Sequence, residues 1–102
     1  MELKVFWTET AIEQLEDIFD FYKYKASHKI AKSMVTKIID RTIQLEVHPE
    51  SGQKEELLKI RKFDYRYLVE GNYKIIYWIE ENYIKIAAVF DTRQNPKKLK
   101  KI

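Results

Sequence analysis

The residues of this sequence best suited to chemistry are its basic side chains, which are spread unevenly along the chain. Residues 1–50 carry 7 Lys and Arg against 9 Asp and Glu, whereas residues 51–102 carry 12 against 7. Concentrated cations attract anionic partners and stabilise charge that develops on a phosphate. The second half is therefore where an anionic partner is expected to dock. An equally good interpretation is that the lysines simply keep a small domain soluble.

Other catalytic chemistries find little support in the residue types. The sequence has no cysteine, which excludes disulfides, zinc–thiolate sites and cysteine nucleophiles. His28 lies beside a predicted helix cap and His48 precedes a proline, so we expect surface or capping roles for both. Two histidines without clustered carboxylates do not make a specific metal site, and we expect no metal and no cofactor. Asp17 and Asp20 are more typical of a solvated helix face than of a catalytic pair.

Two amphipathic helices are predicted after a short first strand. Residues 3–7 are partly β-branched and aromatic, which favours a strand. Thr8 is a suitable N-cap for a helix whose apolar residues recur every three or four positions and which ends near Ala26. Ser27 is a suitable N-cap for a second helix, which must stop before Pro49 because proline cannot continue it. The short connection predicts an antiparallel helical hairpin.

The second half of the chain is typical of a β-meander. Three segments rich in Tyr, Ile, Val, Trp and Phe predict strands, namely 65–70, 73–80 and 83–91. Gly71-Asn72 predicts a two-residue hairpin turn, and Asn82 can adopt a positive φ in the next turn. Residues 57–62 fit either a further short strand or an irregular lead-in. Residues 94–102 hold a proline and four lysines, and we expect them to form a flexible basic tail.

These elements predict a single α+β domain over residues 1–102, of order β-α-α-β-β-β. The helical hairpin must bury its apolar stripe, so it should pack on one face of a small, mainly antiparallel sheet, which the first strand extends. The other face stays partly open. Alternation along each strand groups Arg66, Leu68 and Glu70; Lys74, Ile76 and Trp78; and Lys85, Ala87, Val89 and Asp91. An open sheet face with basic and aromatic residues is a candidate binding surface.

Four segments, taken in order, carry a family pattern. They are Val-Phe-Trp-Thr-Glu-Thr-Ala-Ile-Glu-Gln-Leu (5–15), His-Pro-Glu-Ser-Gly (48–52), Arg-Tyr-Leu-Val (66–69) with Tyr-Lys-Ile-Ile-Tyr (73–77), and Val-Phe-Asp-Thr-Arg-Gln-Asn-Pro (89–96). Each is weak alone, but together they span nearly the whole chain. The sequence therefore resembles the RelE/ParE toxin superfamily, whose fold has the element order predicted above.

The resemblance implies the toxin of a bacterial type II toxin–antitoxin, or plasmid stabilisation, system. Such a toxin is held inactive by a cognate antitoxin protein. RelE-like members cleave mRNA on the ribosome without a metal, and ParE-like members poison DNA gyrase. If the protein is a nuclease, the resemblance implies Lys62 or Arg66 near the scissile phosphate, with Lys74 and Arg93 stabilising charge. The alternative for Arg66 and Arg93 is a salt bridge to a nearby carboxylate.

Two departures from the RelE-like pattern bear on the mechanism. No His or Tyr follows Tyr83, and Lys74 replaces an arginine that would contact phosphate with two parallel donors. Three interpretations stay open: a gyrase-inhibiting toxin, a ribosome-dependent endoribonuclease, and a non-toxic, small basic RNA- or protein-binding module. The sequence begins without a signal peptide and has no apolar run long enough to span a membrane, so we expect a cytoplasmic protein with no membrane partner.

Overall fold

Two helices and five strands form the part of the chain that the structure describes. The structure is a computed structural model, and it describes residues 3–59 and 61–94. The helices and strands are, in chain order, β1 (Lys4–Trp7), α1 (Glu9–Lys25), α2 (His28–Ile43), β2 (Gln53–Lys54), β3 (Arg66–Glu70), β4 (Tyr73–Glu80) and β5 (Tyr83–Asp91). Except for Gln94, the predicted basic tail at 94–102 lies outside the described residues.

The helical hairpin begins and turns at the two predicted caps. The Thr8 hydroxyl accepts a hydrogen bond from the amide of Ala11 at 3.3 Å. The Ser27 hydroxyl accepts one from the amide of Ile30 at 3.1 Å. Each bond satisfies an amide that has no partner inside its helix, so the serine and threonine fix where the two helices start. The helix ending near Ala26 is also confirmed, since Ala26 is the C-cap of α1.

The sheet has the order β1-β5-β4-β3-β2, and among the described strands only the β1–β5 pair is parallel. The predicted addition of the first strand to the meander is therefore confirmed, at the β5 edge. The open question over residues 57–62 is answered in part, because Glu56–Leu58 forms a 3-10 turn and not a strand. The short strand lies earlier, at Gln53–Lys54, and pairs with β3.

Both two-residue hairpin turns place their first residue in the left-handed region. Gly71 has φ 58°, as a primed turn requires, and glycine adopts this conformation without strain. In the next turn the positive φ belongs to Glu81, at 57°. The positive φ that the sequence allows at Asn82 is found at the preceding residue, Glu81.

A bulge in β5 divides the last strand between the two faces of the sheet. Tyr77 pairs with Ile86 and Ile76 pairs with Ala88, so Ala87 is the additional residue. Before the bulge Lys85 lies opposite Trp78; after it Val89 lies opposite Ile75. The predicted grouping of Lys85, Ala87, Val89 and Asp91 on one face is therefore wrong, since an extra residue reverses the alternation.

The main core lies between the helices and one face of the sheet. It contains fully buried side chains from both layers, which are Ala11, Ile38, Leu45, Ile75, Tyr77, Ile84 and Ile86. A smaller cluster forms on the other face around Leu58, Ile76, Ala87 and Ala88. Within the described ranges, no helix is long and apolar enough to cross a membrane.

Candidate functional site: the open face of the sheet

The face of the sheet away from the helices is partly covered by the chain that connects β2 to β3. Leu58, at the end of the 3-10 turn, is fully buried against Ile76 and Ala88 in the middle of this face. Tyr65, Tyr67, Trp78 and Phe90 pack around this cluster and stay partly exposed. What remains accessible is therefore a rim of aromatic side chains with lysines between them.

Lys74 lies on this face, but its charge is already matched. Its ammonium is 2.9 Å from the carboxylate of Glu55, and the Glu55 side chain is only 3% exposed. The same ammonium lies 4.2 Å from the centre of the Tyr67 ring. Glu55 also accepts a hydrogen bond from the amide of Leu57 and so caps the 3-10 turn. Lys74 thus holds the connecting segment onto the sheet.

A row of aromatic and basic side chains crosses the open face at one level. Phe6 on β1 pairs with Lys85 on β5, and Lys85 pairs with Trp78 on β4. Phe63 stacks on Trp78 with ring centres 5.1 Å apart and planes 24° apart. The Lys62 ammonium lies 5.3 Å from the Phe63 ring centre. We call these five residues the aromatic–lysine band.

Glu80 orders the centre of the band. Its carboxylate accepts hydrogen bonds from the Lys85 ammonium at 3.1 Å and from the Trp78 indole nitrogen at 3.2 Å. These two hydrogen bonds lower the pKa of the Glu80 carboxyl, and the nearby Lys62 lowers it further. Glu80 is therefore an anion that fixes the directions of its neighbours. A two-residue turn after Glu80 already places Trp78 opposite Lys85. This pairing could therefore have been predicted from the sequence.

Arg66 lies on the other face of the sheet. It pairs with Tyr77 across β3 and β4, and its guanidinium donates to the carbonyl of Gly52 at 3.0 Å and more weakly to that of Glu50 at 3.4 Å. The buried Tyr77 hydroxyl donates to the Pro49 carbonyl at 2.8 Å and accepts from the Gly52 amide. Arg66 and Tyr77 together fix the turn after α2. These hydrogen bonds of the Arg66 guanidinium go to backbone carbonyls and not to Asp64, Glu70 or Asp91, the carboxylates that were the alternative partners.

Arg93 forms a salt bridge with Asp91, which was the alternative to a role at a phosphate. Two guanidinium nitrogens donate to the two carboxylate oxygens, at 3.0 and 2.8 Å, and the Arg93 amide donates to the same carboxylate. These hydrogen bonds lower the pKa of the Asp91 carboxyl and raise that of the guanidinium. The pair borders a cavity of about 390 Å³ between α1 and the end of β5. Burial, together with the Tyr22 hydroxyl, raises the pKa of Tyr73 in the cavity wall.

The four residues predicted for a nuclease are therefore not brought together. Lys62 and Lys74 lie on the open face, whereas Arg66 and Arg93 lie on the helix side. His28 packs edge-on against Phe19 in the helical hairpin. Among residues 3–59 and 61–94, no three His, Asp or Glu side chains are grouped to hold a metal ion.

The sequence profile of the ParE toxin of the type II toxin–antitoxin system parDE matches residues 5–96. This match covers most of the chain and all of its described helices and strands except Lys4 at the start of β1. The chain belongs to the ParE toxin family. It is therefore a toxin of the type II toxin–antitoxin class, a class in which the toxin has an antitoxin protein as its partner. The resemblance to the RelE/ParE superfamily is confirmed.

Solved structures agree with this ParE-family toxin in fold. A chain of the chromosomal ParDE toxin–antitoxin system from P. aeruginosa is 17% identical, with a TM-score of 0.73 over 88% of this chain and 96% of that chain. YoeB from Staphylococcus aureus, solved as a dimer, is 18% identical, with a TM-score of 0.56 over 86% of this chain and 94% of that chain. At these identities the likeness shows the α+β fold alone. No curated protein matches the chain significantly in sequence.

Proposed function

We propose that this ParE-family toxin arrests growth by binding and poisoning DNA gyrase, and that it does not cleave RNA. The profile that matches residues 5–96 is that of the ParE toxin. ParE-like toxins act on gyrase without bond-making chemistry of their own, so the protein needs a binding surface and no catalytic group. The arrangement of the basic residues supports this choice.

Metal-free RNA cleavage sets a geometric demand that the four candidate residues do not meet together. A base must reach the 2′-hydroxyl, an acid must reach the leaving oxygen, and cations must reach the same phosphate. The sheet separates Lys62 and Lys74 from Arg66 and Arg93. This separation is the observation that carries the proposal, because one phosphate cannot contact both faces.

The ion pairs and hydrogen bonds of the individual basic residues also favour a toxin that acts by binding. Lys74 is paired with a buried carboxylate, and Arg93 is held by both oxygens of Asp91. Arg66 donates to two backbone carbonyls. Each of these groups would have to leave its present partner before it could stabilise a phosphorane, at a cost in stability that a purpose-built active site does not carry.

Purified gyrase provides the direct test. Relaxed plasmid, ATP and gyrase are incubated with increasing amounts of the toxin, and the DNA is resolved after treatment with detergent and protease. We expect supercoiling to fall and linear DNA to accumulate, since a poison stabilises the enzyme–DNA cleavage complex. The matched control is toxin mixed beforehand with the product of the neighbouring open reading frame, the expected antitoxin, which should restore supercoiling.

A parallel assay addresses the alternatives. Cells that express the toxin are examined for double-strand breaks and for new 5′ ends in translated mRNA. Breaks without mRNA cleavage support gyrase poisoning. Cleavage at codons of translated mRNA would overturn the proposal in favour of the endoribonuclease, and unimpaired growth with folded protein would favour a non-toxic binding module.

A further inference from the structure

The aromatic–lysine band has the composition of a surface that binds single-stranded nucleic acid. Phe6, Trp78 and Phe63 expose ring area, and Phe6 is 49% exposed. Lys85 lies 5.9 Å from the ring centres of both Phe6 and Trp78, and Lys62 covers Phe63. Proteins that bind single strands alternate rings, on which bases stack, with cations that follow the phosphates.

The dimensions of the band fit a short stretch of one strand. Phe6 and Trp78 are separated by β5, and adjacent strands lie about 4.8 Å apart. Phe6 and Trp78 therefore lie about 10 Å apart across the sheet, which is room for a few bases. Phe63 adds a third ring, which is stacked on Trp78 with ring centres 5.1 Å apart. A duplex keeps its bases stacked inside and cannot use these rings.

The charges around the band favour an anionic ligand. Lys62 and Lys85 outnumber Glu80, the carboxylate that binds Lys85, and the neighbouring Asp64 lies 3.9 Å from a lysine of its own, Lys54. Arg61 lies near Tyr65 at the same end of the band, where burial raises the pKa of the Tyr65 hydroxyl and the Arg61 charge opposes this rise. Glu80 is also the group with which an incoming phosphate would compete for Lys85.

We propose that the aromatic–lysine band binds single-stranded DNA, with the rings of Phe63 and Trp78 stacking on bases and with Lys62 and Lys85 contacting phosphates. This inference rests on the proposed function, because DNA is the nucleic acid that a gyrase poison meets. It adds that the toxin contacts DNA itself, as well as the enzyme, wherever the two strands of the gyrase substrate are separated.

Binding is measured without gyrase, by fluorescence anisotropy of a labelled oligo-deoxythymidine of about 12 nucleotides, a length within the site sizes of known single-strand binding folds. Equivalent duplex DNA and oligouridine are the comparison ligands. We expect the deoxythymidine strand to bind most tightly. Tighter binding of the duplex or of the RNA would overturn the proposal, as would an affinity that does not change with salt concentration.

Three variants locate the site. Trp78→Leu should weaken binding roughly tenfold or more, the effect of losing one stacking ring. Lys62→Gln lies outside the core, and it should weaken binding and reduce the slope of log affinity against log salt by about 0.7. Glu80→Gln should strengthen binding, because it releases Lys85 for a phosphate. Lys37→Gln, an equal loss of charge on the exposed side of α2, is the matched control and should change nothing specific to the band.

The outcomes separate this inference from the proposed function. If Lys62→Gln binds the strand as well as Lys37→Gln does, and Glu80→Gln brings no gain, the band is not the binding site and the inference is overturned. Gyrase poisoning that persists in toxin with no affinity for the oligonucleotide overturns the inference and leaves the proposed function intact. Strand binding that depends on Lys62 and Glu80, in a protein that does not poison gyrase, supports the band and rejects only the proposed function.

Discussion

Replacing Lys74 by methionine separates a structural lysine from a catalytic one. Lys74 is the residue that a nuclease interpretation places near the phosphate, yet its ammonium is 2.9 Å from the buried carboxylate of Glu55. Methionine keeps the length of the side chain and removes the charge, which leaves Glu55 buried without its cation. We therefore expect Lys74→Met to destabilise the fold, and any loss of toxicity to follow from unfolding.

The size of this effect has an upper and a lower guide. Breaking a buried ion pair by removing one partner costs about 3–5 kcal/mol. A solvent-exposed ion pair contributes at most about 1 kcal/mol, which is the lower guide. Because the Lys74 side chain is 23% exposed, water reaches part of the pair. We expect a loss of about 2–4 kcal/mol in the free energy of unfolding.

Urea denaturation at pH 7 measures the loss, and two further variants make it interpretable. Lys54→Met breaks the exposed pair of Lys54 with Asp64, 3.9 Å apart, and should cost less than about 1 kcal/mol. Adding Glu55→Gln to Lys74→Met removes the stranded charge and keeps an acceptor for the Leu57 amide, so much of the stability should return. Toxicity should return with it. A folded double variant without toxicity would refute the structural role and make Lys74 a functional group.

Two further predictions concern the turn after α2 and the end of β5. Gly52→Ala should lower the free energy of unfolding by about 1–3 kcal/mol in urea titrations. The new methyl carbon would lie 2.5 Å from the Tyr77 hydroxyl and 2.7 Å from the Tyr67 carbonyl oxygen. A change within about 0.5 kcal/mol would contradict this packing. Asp91→Asn should be less stable than the parent at pH 7, because hydrogen bonds from Arg93 lower the pKa of Asp91, and the pair stabilises the fold above the ordinary aspartate pKa, near 3.9. Thermal unfolding at several pH values should show this gap narrowing as the pH falls below about 4, and a gap of the same size at every pH would show that charge is not its source.

The features that were predictable from the sequence depend on nearby residues. Thr8 and Ser27 each bind an amide three positions ahead, so the residue type and the apolar spacing behind it define the helix start. Gly71 defines its hairpin in the same way, through the conformation of one residue. The α+β fold was predicted from these local signals and from the rule that each apolar face must be buried against another element.

The features that were missed depend on residues far apart or on the backbone. Glu55 meets Lys74 across 19 positions, by way of a connection without regular structure, and no spacing rule predicts such a pair. Arg66 binds carbonyl oxygens, which every residue has and which therefore leave no mark in the sequence. The bulge at Ala87 lies in a continuously apolar segment, where a change of face does not alter the pattern of residue types.

The same contacts that stabilise this toxin argue against catalysis. In a nuclease, cations stay available so that the charge developing on the phosphate becomes their strongest partner. Here Lys74 and Arg93 already have carboxylates, and the Asp91 carboxyl is held ionised by its neighbour. Moving either cation to a phosphate would expose a carboxylate to the same phosphate, and the repulsion would cancel much of the gain. Basic residues that are paired in this way stabilise the conformation of the surface. A toxin that acts by binding requires only this structural role of them.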